Sequence, residues 1–418
     1  MLEDPVRQPS AVTSPAAPAE RHDMWAAMRV RAFRLYFGSS MAHMAAVNVQ
    51  QMVQPWFMYE LTGSPIMLGW AALANAIPML VFSPVGGYLA DRFPKRQLLV
   101  LAQSASVVLA LLIAVSITLG MMTPPILLAA AVVQGTLMTI MMPARQALVR
   151  EIVDYRSLGN ALALSNAGMN VNRLMAPAAT GLLIGFTGAA SGYYAISLSY
   201  VFGVIMTAQL PRTAAPVATE GFAEQMRSAL SYVRHDRTIL TILLITLGGV
   251  VMSMPYITLL PVFAKDVLAI GPQRLGLLMT VSGIGALAAS LGLASIGDHN
   301  RGRLYMMSTL VLGVALLLFS LTRSYPLALL FIIPLGVGQA GRMALGNILI
   351  QAYVDDAYRG RVMSLFLMEF GLTSLSTFAV SGLAQAVGVD IALSGTAIAL
   401  ILFTVVLYLF VPLIRRLN

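Results

Sequence analysis

Long apolar runs, broken at near-regular intervals by short polar connectors, decide what this chain can fold into. The stretch Leu98–Leu119 holds no ionisable side chain at all. A run of about 20 apolar residues matches the thickness of a bilayer's hydrocarbon core. Helical spans are expected near 34–60, 66–90, 97–119, 124–148, 158–186, 192–211, 238–264, 272–296, 303–322, 326–351, 360–386 and 391–414. Only 10% of the residues are charged, against about 25% in soluble domains. The 418 residues therefore accommodate these spans and little else.

The connectors alternate between basic and nearly uncharged. With the N-terminus in the cytoplasm, Arg92, Lys95, Arg96, Arg145, Arg150, Arg156, Arg212, Arg227, Arg234 and Arg237 share one side. Arg301, Arg303, Arg359, Arg361, Arg415 and Arg416 join them. Lys265, Arg274 and Arg323 fall on the other side. This asymmetry is the positive-inside pattern, so the net charge of +9 reports orientation rather than a nucleic-acid partner. Residues 1–33 read as a cytoplasmic tail, with Pro5, Pro9, Pro15 and Pro18 among Ala and Ser. Both termini are expected in the cytoplasm.

One offset recurs inside the chain. Gly135 and Gly336, Met142 and Met343, Leu148 and Leu349, Asp154 and Asp355, and Gly159 and Gly360 are all 201 residues apart. This predicts two related bundles, 34–211 and 238–418. The segment 212–237 joins them and carries Phe222, Met226, Leu230 and Val233 at helical spacing. That spacing fits a short amphipathic helix or an ordinary linker equally well.

Between the second and third spans stands Gly87-Tyr88-Leu89-Ala90-Asp91-Arg92-Phe93-Pro94-Lys95-Arg96. It resembles the G-x-L-A-D-R-x-G-R-K loop of the major facilitator superfamily, with Pro94 in place of a glycine. The connector Val354–Ser364 and the entry Tyr59–Ser64 resemble the branch of enterobactin exporters and macrolide efflux pumps. The resemblance implies an all-α membrane protein with 12 transmembrane helices in two pseudo-symmetric six-helix bundles. It also implies that the loop Gly87, Asp91, Arg92, Lys95 and Arg96 clamps the cytoplasmic ends of the bundles when the cavity opens outward. Asp91 suits a helix N-terminus, where the macrodipole favours an anion.

Polar residues within the spans point to a site. His43, Gln50 and Gln54 in the first span form an amide-rich face expected at a wet central cavity. Interhelical hydrogen bonding without substrate contact is the competing reading. Gln134 keeps half of the antiporter motif R-x-x-Q-G, but Ala131 replaces its arginine. In the fifth span Asn166, Asn170 and Arg173 share one face. Ala176, Pro177 and Gly181 follow, resembling the exporter motif that ends G-P-x-x-x-G. In the tenth, Gln339 and Arg342 are cavity candidates. Gly336, Gly338 and Gly341 mimic a dinucleotide fingerprint, but no strand precedes them. Glu369 is the acid well inside a predicted span. Burial disfavours the charged form of a carboxyl, so it is the proton-coupling candidate; a structural carboxylate is the alternative.

The chain lacks cysteine, and its four histidines show no ligand spacing, so neither metal nor cofactor is expected. With no nucleophile–base pair visible, it is expected not to be an enzyme. The resemblance implies a secondary active transporter in a bacterial inner membrane, acting as a monomer. Its partners would be a small-molecule substrate, protons and the lipid bilayer. Proton-coupled export of a drug or siderophore leads. A lysophospholipid or lipid transporter, an importer, and a non-transporting scaffold or sensor remain as alternatives.

Overall fold

The computed structural model describes residues 26–82, 86, 89, 92–153, 155–211, 230–295, 300–355, 358, 362, 363, 365, 366, 369–415 and 417. The long helices are α1 (Arg31–Thr62), α2 (Pro65–Val81), α3 (Lys95–Thr118), α4 (Pro124–Ile152), α5 (Tyr155–Thr187) and α6 (Ala189–Ala208). After the connector come α7 (Arg237–Ser253), α8 (Pro255–Asp266), α9 (Pro272–Ser295), α10 (Arg301–Leu321), α11 (Tyr325–Tyr353), α12 (Glu369–Val387) and α13 (Val389–Phe410). Among the described residues eight helices, with α7 and α8 taken as one, are long and apolar enough to cross a membrane. Pro65–Val81 is a shorter apolar helix.

Local chemistry explains several boundaries. Asp236 caps α7, accepting from the backbone N–H groups of Thr238 at 2.7 Å and Ile239 at 3.1 Å. The expected seventh span, 238–264, is broken at Pro255. Proline fits the first turn of a helix but cannot donate within one, so α8 starts afresh there.

The helices pack as two bundles. In the first, α6 lies against α1 and α3, α2 against α4, and α1 against α5. In the second, α11 lies against α9 and α10, and α13 against α10 and α12. The 201-residue offset reappears as packing. A Cβ on Gly135 would collide with the Asn75 carbonyl of α2, and one on Gly336 with the Ser282 carbonyl of α9. In each bundle this glycine brings two helix backbones together. Gly188 and Gly388, 200 residues apart, likewise open α6 and α13 at φ 83° and 96°, a conformation natural only to glycine.

Where the first bundle is polar inside, it is cross-linked. Ser39 of α1 hydrogen-bonds Thr207 of α6 at 2.7 Å. With its amide oxygen toward Arg145, Gln103 of α3 accepts from Arg145 Nη2 at 2.7 Å and donates to Thr207 at 3.0 Å. Arg145 also donates to Ser40 at 2.9 Å. It is therefore a buried residue of α4, not a solvated member of the basic connector to which the charge pattern assigned it.

The bundles meet along α5 with α9 and α2 with α12, while α8 touches α1 and α2. At the end bearing the Gly63, Gly188 and Gly388 turns they are tied together. Tyr59 Oη donates to Asp266 at 2.5 Å, and Ser64 Oγ to Gln385 at 2.8 Å. Trp70 stands edge-on to Phe378, with centroids 4.8 Å apart. Gly181 and Gly276 cross backbone to backbone, and a Cβ on Gly276 would collide with the Pro177 carbonyl. Toward the other end a Cβ at Gly159 of α5 or Gly292 of α9 would meet open space. The described residues thus tie the bundles at one end; toward the other, Leu80 of α2 still packs against Gly371 of α12, and most connectors there lie outside the described residues.

Candidate functional site

Between the bundles lies a cavity of about 90 Å³. The first bundle supplies Asn48 and Gln51 from α1 and Arg173 and Pro177 from α5; the second supplies Tyr256, Ser282, Gly336 and Gln339. Helical phase explains the α5 contribution. Residues 166, 170, 173 and 177 recur at steps of four and three. Met175, Leu182 and Phe186 form the opposite, exposed face. Asn166, Asn170 and Arg173 are all exposed on the inner face, with Arg173 reaching the lining and Asn170 one turn away.

On α1 the lining face differs from the expected one. Asn48 and Gln51 front the cavity, while His43, Gln50 and Gln54 point into the first bundle. At about 100° per residue, Gln50 and Gln51 cannot share a direction. Gln50 Nε2 donates to Gln54 Oε1 at 3.1 Å. Both line a water-sized hollow of about 10 Å³ with Gln134 and Tyr193. His43 is 3% exposed, packed on the Tyr200 ring at a centroid distance of 5.9 Å. Gln134 Nε2 donates to the Tyr200 hydroxyl at 3.4 Å. These four expected cavity residues thus belong to an interior polar file of the first bundle: Gln134 bonds to another helix, Gln50 and Gln54 bond within α1, and His43 Nδ1 is buried with no partner.

In the second bundle Gln339 does line the cavity. Its Nε2 lies 3.1 Å from Met254 Sδ, and its Oε1 is buried with no partner. Arg342, one turn further on α11, is not in the lining. It is 2% exposed and faces Glu369 of α12, with Nη2 at 3.9 Å from Oε1. No local pattern signals that these two expected site residues meet. The Tyr256 hydroxyl lies within electrostatic range of both Arg173 and Arg342, beside Ser282.

Of the expected gating loop, Gly87 and Asp91 lie outside the described residues. Lys95 pairs with Glu151 at the end of α4, and Arg96 donates to the Ala208 carbonyl at the end of α6. Both contacts stay within the first bundle, at the end opposite the Tyr59–Asp266 tie. Arg92 begins the return from the loop and is engaged by a neighbour.

Sequence reasoning passed over Tyr256 and Ser282, which are ordinary residues of apolar spans. It likewise assigned no partner to Asp266, which Tyr59 engages. One available signal was the phase of α1: Asn48 and Gln51, three residues apart, share the face that lines the cavity.

Comparison with known proteins gives a consistent result. The family model described as transmembrane secretion effector matches residues 22–416. The staphyloferrin A transporter of Staphylococcus aureus is 23% identical over 378 residues, covering 90% of this chain and 95% of the relative. The multidrug efflux pump Tap of Mycolicibacterium fortuitum is 22% identical, covering 87% and 91%. The crystal structure of the nucleoside transporter NupG superposes with a TM-score of 0.74 at 14% identity, over 92% of this chain and 99% of that one. At that identity the superposition speaks for the fold alone.

Proposed function

The chain belongs to the transmembrane secretion effector family of major facilitator transporters, and from that membership we propose that it exports an amphiphilic small molecule, a drug or a siderophore, in exchange for protons. The observation that carries this reading is the hollow joining Arg173 of one bundle to Tyr256 and Gln339 of the other, below the end where Tyr59 and Asp266 tie the bundles. Transporters of this build work by rocking two bundles about a central site. Residues 34–211 and 238–418 are the rocking bodies in this reading, with 212–237 joining them. The basic connectors favour the cytoplasm for the end opposite the Tyr59–Asp266 tie, so substrate enters from inside in this reading. The family relatives, a staphyloferrin A transporter and a multidrug efflux pump, support a siderophore or a drug as cargo.

Glu369 is the proton site in this reading. It is buried beside a guanidinium that is itself buried, so its protonation changes whether Arg342 is compensated. Such a change biases two arrangements of packed helices, which is what coupling requires. The loop around Asp91 is assigned to sealing the inner end in the opposite state.

Reconstitution into liposomes tests this. Wild-type protein should move a fluorescent amphiphile against its gradient when a pH difference is imposed. Glu369→Gln should lose that drive yet keep exchange in the absence of a gradient. Unchanged proton drive in the variant would return Glu369 to a structural role. Absence of flux for every amphiphile, with tight binding of a partner protein instead, would favour the scaffold.

A further inference from the structure

We propose that the central cavity selects a carboxylate-bearing ligand, held by Arg173, with a hydrogen-bond donor beside the carboxylate for Gln339; this rests on reading the hollow as the transport site. Among the lining residues Arg173 alone carries a charge. The structure gives it no carboxylate partner among the described residues, whereas the other central guanidinium, Arg342, already faces Glu369. The cavity therefore carries the uncompensated charge of Arg173.

A guanidinium fits a carboxylate with two parallel N–H···O contacts, a geometry that a point cation lacks. The same charge repels an amphiphilic cation. Gln339 adds a second demand. It is 3% exposed, and its carbonyl oxygen has no partner. A buried acceptor left unmatched is costly, and a ligand hydroxyl or N–H satisfies it. Ile257, Leu260 and Ile332 supply apolar wall for the rest of an amphiphile. Arg173 and Gln339 come from opposite bundles, so one ligand touching both couples its binding to their relative position.

The charge has a consequence for energetics. Moving one carboxylate out and one proton in transfers two charges in the same electrical sense. An inside-negative potential then accelerates export of the anion.

Indoleacetate and its uncharged amide, indoleacetamide, form a matched probe pair, each with an indole N–H. Binding and flux are measured on full-length protein in proteoliposomes, with ethidium as a cationic control. Indoleacetate should bind the wild type at least about tenfold more tightly than the amide, as a charged hydrogen bond predicts. Arg173→Gln should erase that preference, Arg173→Lys should keep part of it, and both should retain the wild-type elution profile. A valinomycin potential, negative inside, should speed indoleacetate export. Equal affinity for acid and amide in the wild type, or an undiminished preference in Arg173→Gln, would overturn the proposal. Proton-driven ethidium flux with no indoleacetate binding would sink it while leaving the transporter reading intact. Arginine-dependent binding without flux would do the reverse. Neither binding nor flux for any probe would remove both.

Discussion

Removing Glu369 should destabilise this protein more than removing Arg342, and the asymmetry can be worked from the pair itself. The two groups are 3.9 Å apart, with side chains 10% and 2% exposed. At an effective dielectric of about 20, opposite charges at that separation attract by about 4 kcal/mol. Two features reduce the net value. Arg342 Nε and Nη2 have no hydrogen-bond partner, so the contact is electrostatic rather than a bidentate bond. In a membrane the disrupted state also finds partners. A coupling of about 2–3 kcal/mol is therefore expected from a double-mutant cycle of Glu369→Met, Arg342→Met and the pair. Glu369→Met strands a guanidinium that stays charged at any accessible pH. Arg342→Met strands a carboxyl that can neutralise itself by taking up a proton. The single losses should thus rank Glu369→Met above Arg342→Met, and the double variant should recover to within about 1 kcal/mol of wild type. Reversible unfolding in mixed detergent micelles, followed by tryptophan fluorescence, measures all four proteins. A coupling below about 0.5 kcal/mol, or a double variant weaker than both singles, would falsify the argument that these charges stabilise one another.

Three further outcomes are expected. Gly276→Val puts a branched side chain against the Pro177 carbonyl and Gly181 backbone, so the sealed end cannot close. A cysteine placed at Gln273 should then react with a membrane-impermeant maleimide several-fold faster, and an unchanged rate would remove Gly276 from the seal. Tyr59→Phe deletes the donor to Asp266; a hydrogen bond to a charged group contributes about 1.5–3 kcal/mol, so labelling at the same cysteine should rise about tenfold. Asp91→Asn should cut flux while leaving the size-exclusion profile intact, and full flux would show that the loop does not gate.

Much of the fold was legible because a bilayer permits few alternatives. Apolar runs with basic connectors dictated helices. The 201-residue offset marked Gly135 and Gly336, which perform the same packing task against α2 and α9. The residues around Pro177 and Gly181 resembled an exporter motif, and they form the backbone crossing with α9. The site was less legible. A helix face is defined only to within a residue or so of phase, and α1 carries Asn48, Gln50, Gln51 and Gln54 almost consecutively. Choosing Gln50 over Gln51 turned the expected lining by about a quarter of the helix circumference. Arg342 and Glu369 were both singled out as costly intramembrane charges, yet their union depends on how α11 packs beside α12, which no local pattern encodes. Arg145 looked like a loop residue because it lies near an end of α4. Its hydrogen bonds to Ser40 and Gln103 are long-range and invisible in spacing.

The sealed end has a construction suited to opening. In lipid, helices gain nothing from hiding apolar side chains from hydrocarbon, so their association depends on close packing and polar contacts. Glycine at the α5–α9 crossing supplies close packing with no side chain to extract when the helices part. The remaining inter-bundle ties named here are two hydrogen bonds, Tyr59 to Asp266 and Ser64 to Gln385, and one aromatic edge contact, Trp70 on Phe378. A hydrogen bond to a carboxylate, a neutral one and an aromatic pair contribute on the order of 1.5–3, 0.5–1.5 and 0.5–1.5 kcal/mol. Together these amount to a few kcal/mol. A ligand binding one state about 10⁴-fold more tightly than the other supplies about 5.5 kcal/mol. The seal therefore holds in the empty protein yet lies within reach of a ligand that bridges Arg173 and Gln339. A denser apolar seal would have to be overcome by more binding energy than one small molecule provides.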